Sequence, residues 1–395
     1  MSNKIFTDEN ITEAYNEFYK ELEANKSDAS QNKIKLKELF RRLVFVLISR
    51  KFFSKEVGKI DYSKVQNVLL MRNDGLGDYV QTTPLINLLK HINPAIQVDV
   101  ICSERNLDLI QQDDQVRNYF LLNSNTGFIK LIKFCRQIKA KFKYDVFIAL
   151  KHTSTTKNAL IGNLVASQSN KISFSHNNTL RNKSYSLAFT HLIEYPKLPL
   201  HWSDTLLTLI YHSSLNQIVG FKKSTYILNK KFTNVHAHKE TILNKEQIKV
   251  LINISAFETS RKFEAHQAAE IIRYLIQNSK FQIYVTSSPN EISLAQDIVN
   301  QVNCEKCSLV TKDLIGLINE LPLFDILISP DTGIVHFADA LRISIVAFYK
   351  NYDKITKWHP LKSRFVGIIP ENGNFNKINI QEIAKALEYL GVKLN

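Results

Sequence analysis

Short apolar runs rich in Val and Ile recur along this chain, each followed by a longer stretch of helical period, and the whole pattern occurs twice. Val68–Met71, Val98–Cys102 and Asp145–Leu150 make the first set; Val250–Ile254, Gln282–Val285, Ile326–Ser329 and Ile343–Phe348 make the second. Runs without polar alternation need cover on both faces, which flanking helices give to a parallel sheet. The alternation therefore predicts an α/β fold, and its repetition predicts two doubly wound, Rossmann-like domains. We place the first at residues 65–227 and the second at 248–395, joined by a polar, Lys- and Asn-rich linker over 228–247. Sheets of this kind bind ligands at the carboxyl ends of their strands, so two facing domains would share a central cleft.

Residues 1–64 precede this pattern and read as a helical extension, with Ala14, Tyr15, Phe18 and Leu22 at helical spacing and a break over Lys26–Gln31. The formal net charge is +14, and half of it sits in residues 31–60, where nine Lys or Arg face only Glu38 and Glu56, a net of +7. These cations interleave with Leu36, Phe40, Leu43, Phe45, Val46, Phe52 and Phe53. A basic helix with an apolar face suits an anionic membrane surface. It equally suits packing on the protein with its charges solvated, and both readings stand here. No run of about 18 apolar residues and no secretory pattern is present, so a cytoplasmic chain at the inner face of a membrane is expected. The excess charge also attracts nucleic acid, but it is concentrated in the extension and no recognition motif accompanies it, so no nucleic-acid partner is expected. Four cysteines are too few for a disulfide framework, and Cys304-x-x-Cys307 in a polar stretch reads as a solvated loop rather than half of a metal site.

Three loops carry groups able to do chemistry. In Asn67–Ile86 a buried strand ends at Arg72, and Asp74, Gly75 and Gly77 lead into a helix that starts near Asp78. The glycines allow positive φ and close backbone approach, and the helix dipole favours the Asp78 carboxylate. A third glycine is missing and an acid stands where a pyrophosphate would sit, which argues against a dinucleotide fingerprint. In Phe324–Tyr349 a strand runs into Pro330-Asp331-Thr332-Gly333 and then a helix carrying His336. The Thr332 hydroxyl and the backbone N–H groups of Thr332 and Gly333 form a candidate anion site, with Asp331 as the expected helix cap. In Leu251–Gln267 a strand ends near Ser255, and the loop before a helix at Phe263–Glu264 presents Arg261 and Lys262, natural partners of a diphosphate. Lys151 and His152 end another strand of the first domain. A carboxylate in one domain and anion-binding groups in the other divide the labour of group transfer from a phosphorylated donor.

These segments resemble the bacterial heptosyltransferases of lipopolysaccharide core assembly, glycosyltransferase family nine. Arg72, Asp74, Gly77, Asp78 and Pro84 match an opening R-x-D-x-x-G-D-x-x-x-x-x-P, and DTGIVHFADAL from Asp331 matches D-T-G-x-x-H-x-x-x-A-L. Lys357–Pro360 is similar to a later W-x-P element and His201–Ile210 to a mid-chain segment. The resemblance implies a GT-B type fold with the acceptor bound by the first domain and the donor by the second. It implies ADP-heptose as donor, inversion at the anomeric carbon, no cofactor and no obligatory metal. The implied acceptor is a lipid-linked saccharide, Kdo–lipid A or a heptosylated core. Carried over, Asp78 is the general base; Thr332, Gly333 and His336 hold the diphosphate with Asp331 near the donor; Arg261 and Lys262 neutralise the leaving ADP, with Ser255 on the same side. Arg72, Asp74, Gly75, Gly77, Lys151 and His152 lie on the acceptor side. Phe263-Glu264 and Tyr349-Lys350 depart from the family's Trp-Pro and Gly-Pro, both near the donor, so another nucleotide sugar feeding a capsule or other surface glycan is the alternative. A catalytically dead sugar-binding relative is disfavoured by the retained Asp78 and D-T-G-x-x-H.

Overall fold

The computed structural model describes residues 4–24, 31–48, 58–223 and 246–392, apart from positions 124, 153–154, 177–178, 198 and 279. The core of the expected linker, Leu228–Lys245, lies outside the described residues, as do Phe52, Phe53 and all of the expected break before Gln31. Two compact units form. One comprises residues 26–198 and 202–226; the other comprises 1–25, 199–201 and 227–395.

Strand β1 (Lys4–Thr7) opens the chain. The first unit then contributes β2 (Asn67–Met71), β3 (Gln97–Cys102), β4 (Val116–Leu121), β5 (Val146–Ala149), β6 (Asn170–Phe174) and β7 (His191–Ile193). They form one parallel six-stranded sheet in the order β4-β3-β2-β5-β6-β7. The second unit contributes β8 (Ile248–Asn253), β9 (Phe281–Thr286), β10 (Cys307–Val310), β11 (Ile326–Pro330), β12 (Ser344–Phe348) and β13 (Phe365–Ile369). Its seven-stranded sheet runs β1-β13-β12-β11-β8-β9-β10, parallel throughout except for β1, which pairs antiparallel with β13. Counted from the first parallel strand of each unit, both orders are 3-2-1-4-5-6, the doubly wound arrangement. Its switch points fall between β2 and β5 in one unit and between β8 and β11 in the other.

The apolar runs explain the sheets. Val68, Leu69, Leu70 and Met71 of β2 and Val146, Phe147, Ile148 and Ala149 of β5 are all fully buried, as strands covered on both faces must be. Among the buried polar residues of the first sheet is Asp99 of β3. It accepts a two-point pair from Arg117 (Nε 2.9 Å, Nη2 2.7 Å), a bond from the Tyr144 hydroxyl at 2.7 Å and another from the Asn118 backbone at 3.1 Å. Every charge placed there is matched, as burial requires.

Two expectations are corrected. The extension is not wholly helical: Lys4–Thr7 is an edge strand whose register runs Lys4↔Ile369 to Thr7↔Val366. Nor is it one body. The strand and the helix Ile11–Ala24 belong to the seven-stranded unit, while the helix Gln31–Ile48 belongs to the six-stranded one. Tyr15 of the first helix donates to the Thr356 carbonyl at 2.9 Å, and Ala14 is fully buried. The C-x-x-C stretch is a solvated loop only in part: Cys304–Lys306 lie in a turn with Glu305 exposed, but the last residue does not. Cys307 opens β10, its side chain is buried, and burial pushes its thiol up to about 11.

Candidate active site

In the six-stranded unit the groups singled out from the sequence gather at the switch point. Arg72 follows β2 directly and is almost completely buried. Its guanidinium donates from Nη1 to the Leu150 carbonyl at 2.6 Å, just past β5, and so ties together the two strand ends that flank the switch. Nε and Nη2 both donate to the Asp78 carbonyl, at 3.0 and 2.7 Å. The same fork reaches the side chains of Asp78 (3.3 Å) and Asp74 (3.2 Å). From behind, the Arg72 carbonyl accepts from the Asn106 amide at 2.8 Å, and the Trp202 ring lies 5.8 Å from the guanidinium carbon.

Asp78 is the third residue of the short helix Leu76–Val80, whose N-cap is Gly75. One carboxylate oxygen accepts the Gly75 backbone N–H at 3.0 Å, and the other faces Arg72. A carboxylate at this position matches the helix dipole and satisfies an N-terminal donor. The side chains of Asp78 and Asp74 remain 26% and 28% exposed, so both are reachable from solvent. Gly75 does not use the positive φ open to it: its φ is −82°, and its advantage is space, because a Cβ there would stand 3.0 Å from an Asp78 oxygen. Gly77 is buried within the helix. Burial raises the Asp74 carboxyl above its ordinary range, to about 6; Arg72 and Lys151 oppose the shift and Asp78 adds to it. Beside this cluster His152 stacks on Trp202 with ring centroids 3.9 Å apart, and its Nδ1 lies 3.4 Å from the Tyr195 hydroxyl. Trp202, Tyr195 and Asn106 were not singled out from the sequence. Trp202 lies within the His201–Ile210 segment, but nothing in that segment signals that its ring backs Arg72.

In the seven-stranded unit the second cluster also sits at the switch point. Asn253 ends β8, and its amide donates to the Ser255 carbonyl (3.0 Å), the Ser329 hydroxyl (3.0 Å) and the Thr332 hydroxyl (3.3 Å). Thr332 occupies the N-cap of the helix Gly333–Ala340, and its hydroxyl makes no capping bond. The expected cap, Asp331, lies one residue earlier and does other work. Its carbonyl accepts from Arg261 Nη1 at 2.7 Å and its carboxylate lies 3.4 Å from the same nitrogen. Arg261 also faces Glu258 at 3.5 Å, and Lys262 is paired with Glu291. Both basic residues expected to meet a diphosphate are therefore in contact with carboxylates. The Lys262 pair, with the Ser255 and Ser288 hydroxyls, holds the Glu291 carboxyl below its usual range against the opposing effect of burial. Ser255 accepts the Ser288 N–H at 2.7 Å. His336 is buried one turn into the helix, its ring 5.6 Å from that of Trp358. Further along, the Asp339 carboxylate accepts the N–H groups of Leu361 (3.0 Å), Lys362 (2.7 Å) and Ser363 (2.9 Å), which fixes the turn after the W-x-P element.

The two departures from the family pattern have structural roles. Phe263 is buried edge-on against Phe348 with centroids 5.4 Å apart. Tyr349 is fully buried, and its hydroxyl points at the Trp358 carbonyl at 3.4 Å. Among the described residues no group of three or more His, Cys, Asp or Glu is disposed to hold a metal ion, and no helix is long and apolar enough to cross a membrane.

Comparison with solved structures agrees with this architecture. A glycosyltransferase family 9 protein from Veillonella parvula superposes with a TM-score of 0.68 at 17% identity, covering 84% of this chain and 98% of its own. E. coli heptosyltransferase WaaC with ADP gives 0.63 at 16%, covering 82% and 99%. E. coli ADP-heptose lps heptosyltransferase II gives 0.62 at 16%, covering 82% and 98%. The fold is thus that of the GT-B heptosyltransferases. The family model for glycosyltransferase family 9 (heptosyltransferase) matches residues 131–387, so the protein is a glycosyltransferase and the chain belongs to that family.

Proposed function

We propose that this enzyme transfers heptose from ADP-heptose to a lipid-linked saccharide of the lipopolysaccharide inner core, with inversion at the anomeric carbon. The observation that carries the reading is the Asp78 carboxylate, fixed at a switch point by Arg72 and the Gly75 N–H yet open to solvent. A base needs a defined position and access to the proton it takes, and Asp78 has both. An acceptor hydroxyl attacks the anomeric carbon and gives its proton to Asp78. A carbon–oxygen bond forms as the bond to the diphosphate breaks, and ADP leaves with the electron pair.

The charge that develops on ADP falls to the second cluster. The N–H groups at the start of the helix Gly333–Ala340 and the Thr332 hydroxyl supply donors without reorganisation. Arg261, already bound to the Asp331 backbone, adds a planar cation beside them. Lys262 joins it when a diphosphate displaces Glu291. No metal is called on in this scheme. The choice of ADP-heptose is supported by the similar E. coli enzymes, one crystallised with ADP and the other named for ADP-heptose. Phe263 and Tyr349, which depart from the family near the donor loops, favour testing other nucleotide sugars beside it.

The test is ADP release from ADP-heptose with and without Kdo–lipid A or a heptosylated acceptor, for the native enzyme and Asp78→Asn. Acceptor-dependent release lost in the variant is the expected result. No release by the folded native enzyme from this donor, with release from another nucleotide sugar, overturns the donor. Full activity in Asp78→Asn overturns the base.

A further inference from the structure

The helix Gln31–Ile48 packs one face on the six-stranded unit and leaves another bare. Phe45 is buried against Tyr185, with ring centroids 5.4 Å apart. Glu38 is buried between Arg41 and Arg181. Arg41 donates to the Thr156 hydroxyl at 2.9 Å and Arg42 to the Ser184 hydroxyl at 3.3 Å. The face thus applied to the protein combines the buried Phe45 ring with these polar contacts. The opposite face carries Leu39, Phe40, Leu43, Val46 and Leu47, which are 65, 69, 59, 40 and 60% exposed. At about 100° per residue these five positions span roughly 120° of the helix, a continuous stripe rather than scattered surface apolar residues.

Charge decides what covers such a stripe. The helices packed against the helix Gln31–Ile48, Thr156–Val165 and Thr179–Tyr185, contribute Lys157, Arg181 and Lys183 and no acid. The helix itself adds Lys37, Arg41 and Arg42, and its one acid, Glu38, is buried and paired. A second copy of the chain would bring the same cations against these, which is repulsive. An anionic phospholipid surface supplies both an apolar layer for the stripe and phosphates for its cationic border, within reach of Lys and Arg side chains that keep their charged ends at the interface.

We propose that residues 39–47 form a monotopic membrane-docking helix, seated in the headgroup region of an anionic bilayer through Leu39, Phe40, Leu43, Val46 and Leu47. The helix belongs to the same unit as Asp78, so docking holds the base-bearing unit at a lipid surface. The inference stands whatever sugar the enzyme transfers.

The experiment is co-sedimentation of the full chain with vesicles of phosphatidylglycerol and phosphatidylethanolamine, and separately of phosphatidylcholine alone. It compares the native protein with Leu39→Ser/Phe40→Ser/Leu43→Ser, whose changes are at exposed positions and spare the fold. Phe40→Trp reports the environment of the stripe by its emission. The expected result is binding to the anionic vesicles, weaker binding to phosphatidylcholine, at least about tenfold loss in the triple variant and a blue shift of the Phe40→Trp emission on the anionic vesicles. Absence of native binding, equal binding by the triple variant, or an unmoved emission overturns the proposal. So does a native dimer in velocity sedimentation that the triple variant converts to monomer, which would assign the stripe to a second copy.

Discussion

Arg72 holds Asp78 twice: Nε and Nη2 grip its backbone carbonyl at 3.0 and 2.7 Å, and Nη2 lies 3.3 Å from its carboxylate. The proposed base is thus positioned through the main chain as well as through its charge. Asp78→Asn should lower transfer by about 10²–10⁴ while costing only about 1 kcal/mol of stability, from the weakened Arg72 pair and helix dipole. Arg72→Lys keeps the charge but loses the planar fork. It should lose activity together with about 1–3 kcal/mol of stability, because the Leu150 and Asp78 carbonyls lose donors. Parallel assays of turnover and thermal unfolding on the two variants separate chemistry from positioning.

Asp74 gives a pH signature. Its carboxyl holds a proton up to about 6 in the folded state, against 3.8 as the ordinary value. Across that window the folded state binds more protons than the unfolded one, so the contribution of Asp74 to stability falls as pH rises. Asp74→Asn cannot titrate. Relative to the native protein it should gain stability between about pH 4 and pH 7, by on the order of 1–3 kcal/mol. Urea unfolding of both proteins at the two pH values measures this. A variant that loses stability over the same range would mean that Arg72 outweighs burial.

On the donor side, Arg261 and Lys262 should behave differently. Arg261→Ala removes the bond to the Asp331 carbonyl and a cation, and should weaken ADP binding by about tenfold or more. Glu291→Gln frees Lys262 from its pair, and should tighten ADP binding with a steeper salt dependence. Calorimetric titration with ADP at two salt concentrations reads both effects.

The Asp99 network is structural and should be separable from activity. Asp99→Ala leaves Arg117 without its two-point partner and the Tyr144 hydroxyl without its acceptor, at a cost of about 3–5 kcal/mol. The rate of transfer at a temperature where the variant stays folded should be unchanged. Chemical denaturation beside a turnover assay checks this.

Thiol chemistry offers a probe of the sheets. Burial raises the thiols of Cys102 and Cys307 to about 11 and that of Cys135 to about 12, while Cys304 is only partly buried. Alkylation of the native protein near pH 8 should label Cys304 first and the other three only on unfolding. Mass mapping of the labelled peptides decides it.

The central strands were legible because burial on both faces leaves an unbroken apolar run, as in Val68–Met71 and Ile326–Ser329. Strands with mixed exposure were not. In β4, Val116–Leu121 alternates half-buried with exposed residues at the sheet edge, and β7 is only His191–Ile193. In β13 the run is broken by Gly367, which has a reason visible only in three dimensions: a Cβ there would stand 2.5 Å from the Ile355 side chain. Strand β1 has no local signal, because its pairing is decided by residues more than 350 positions away. Of the site, the motif residues Arg72, Asp78, Thr332 and His336 were readable from spacing. Asn253, Glu291 and Trp202 act through contacts distant in sequence, and no pattern along the chain records them.

The pairing of Lys4–Thr7 with Val366–Ile369 sets an order on biosynthesis. The ribosome makes this strand more than 350 residues before its partner, so the six-stranded sheet can be complete while Lys4–Thr7 still has nothing to bind. The strand is therefore a latch that closes only once β13 has been made. A truncated product lacking the final strand would display that latch unengaged.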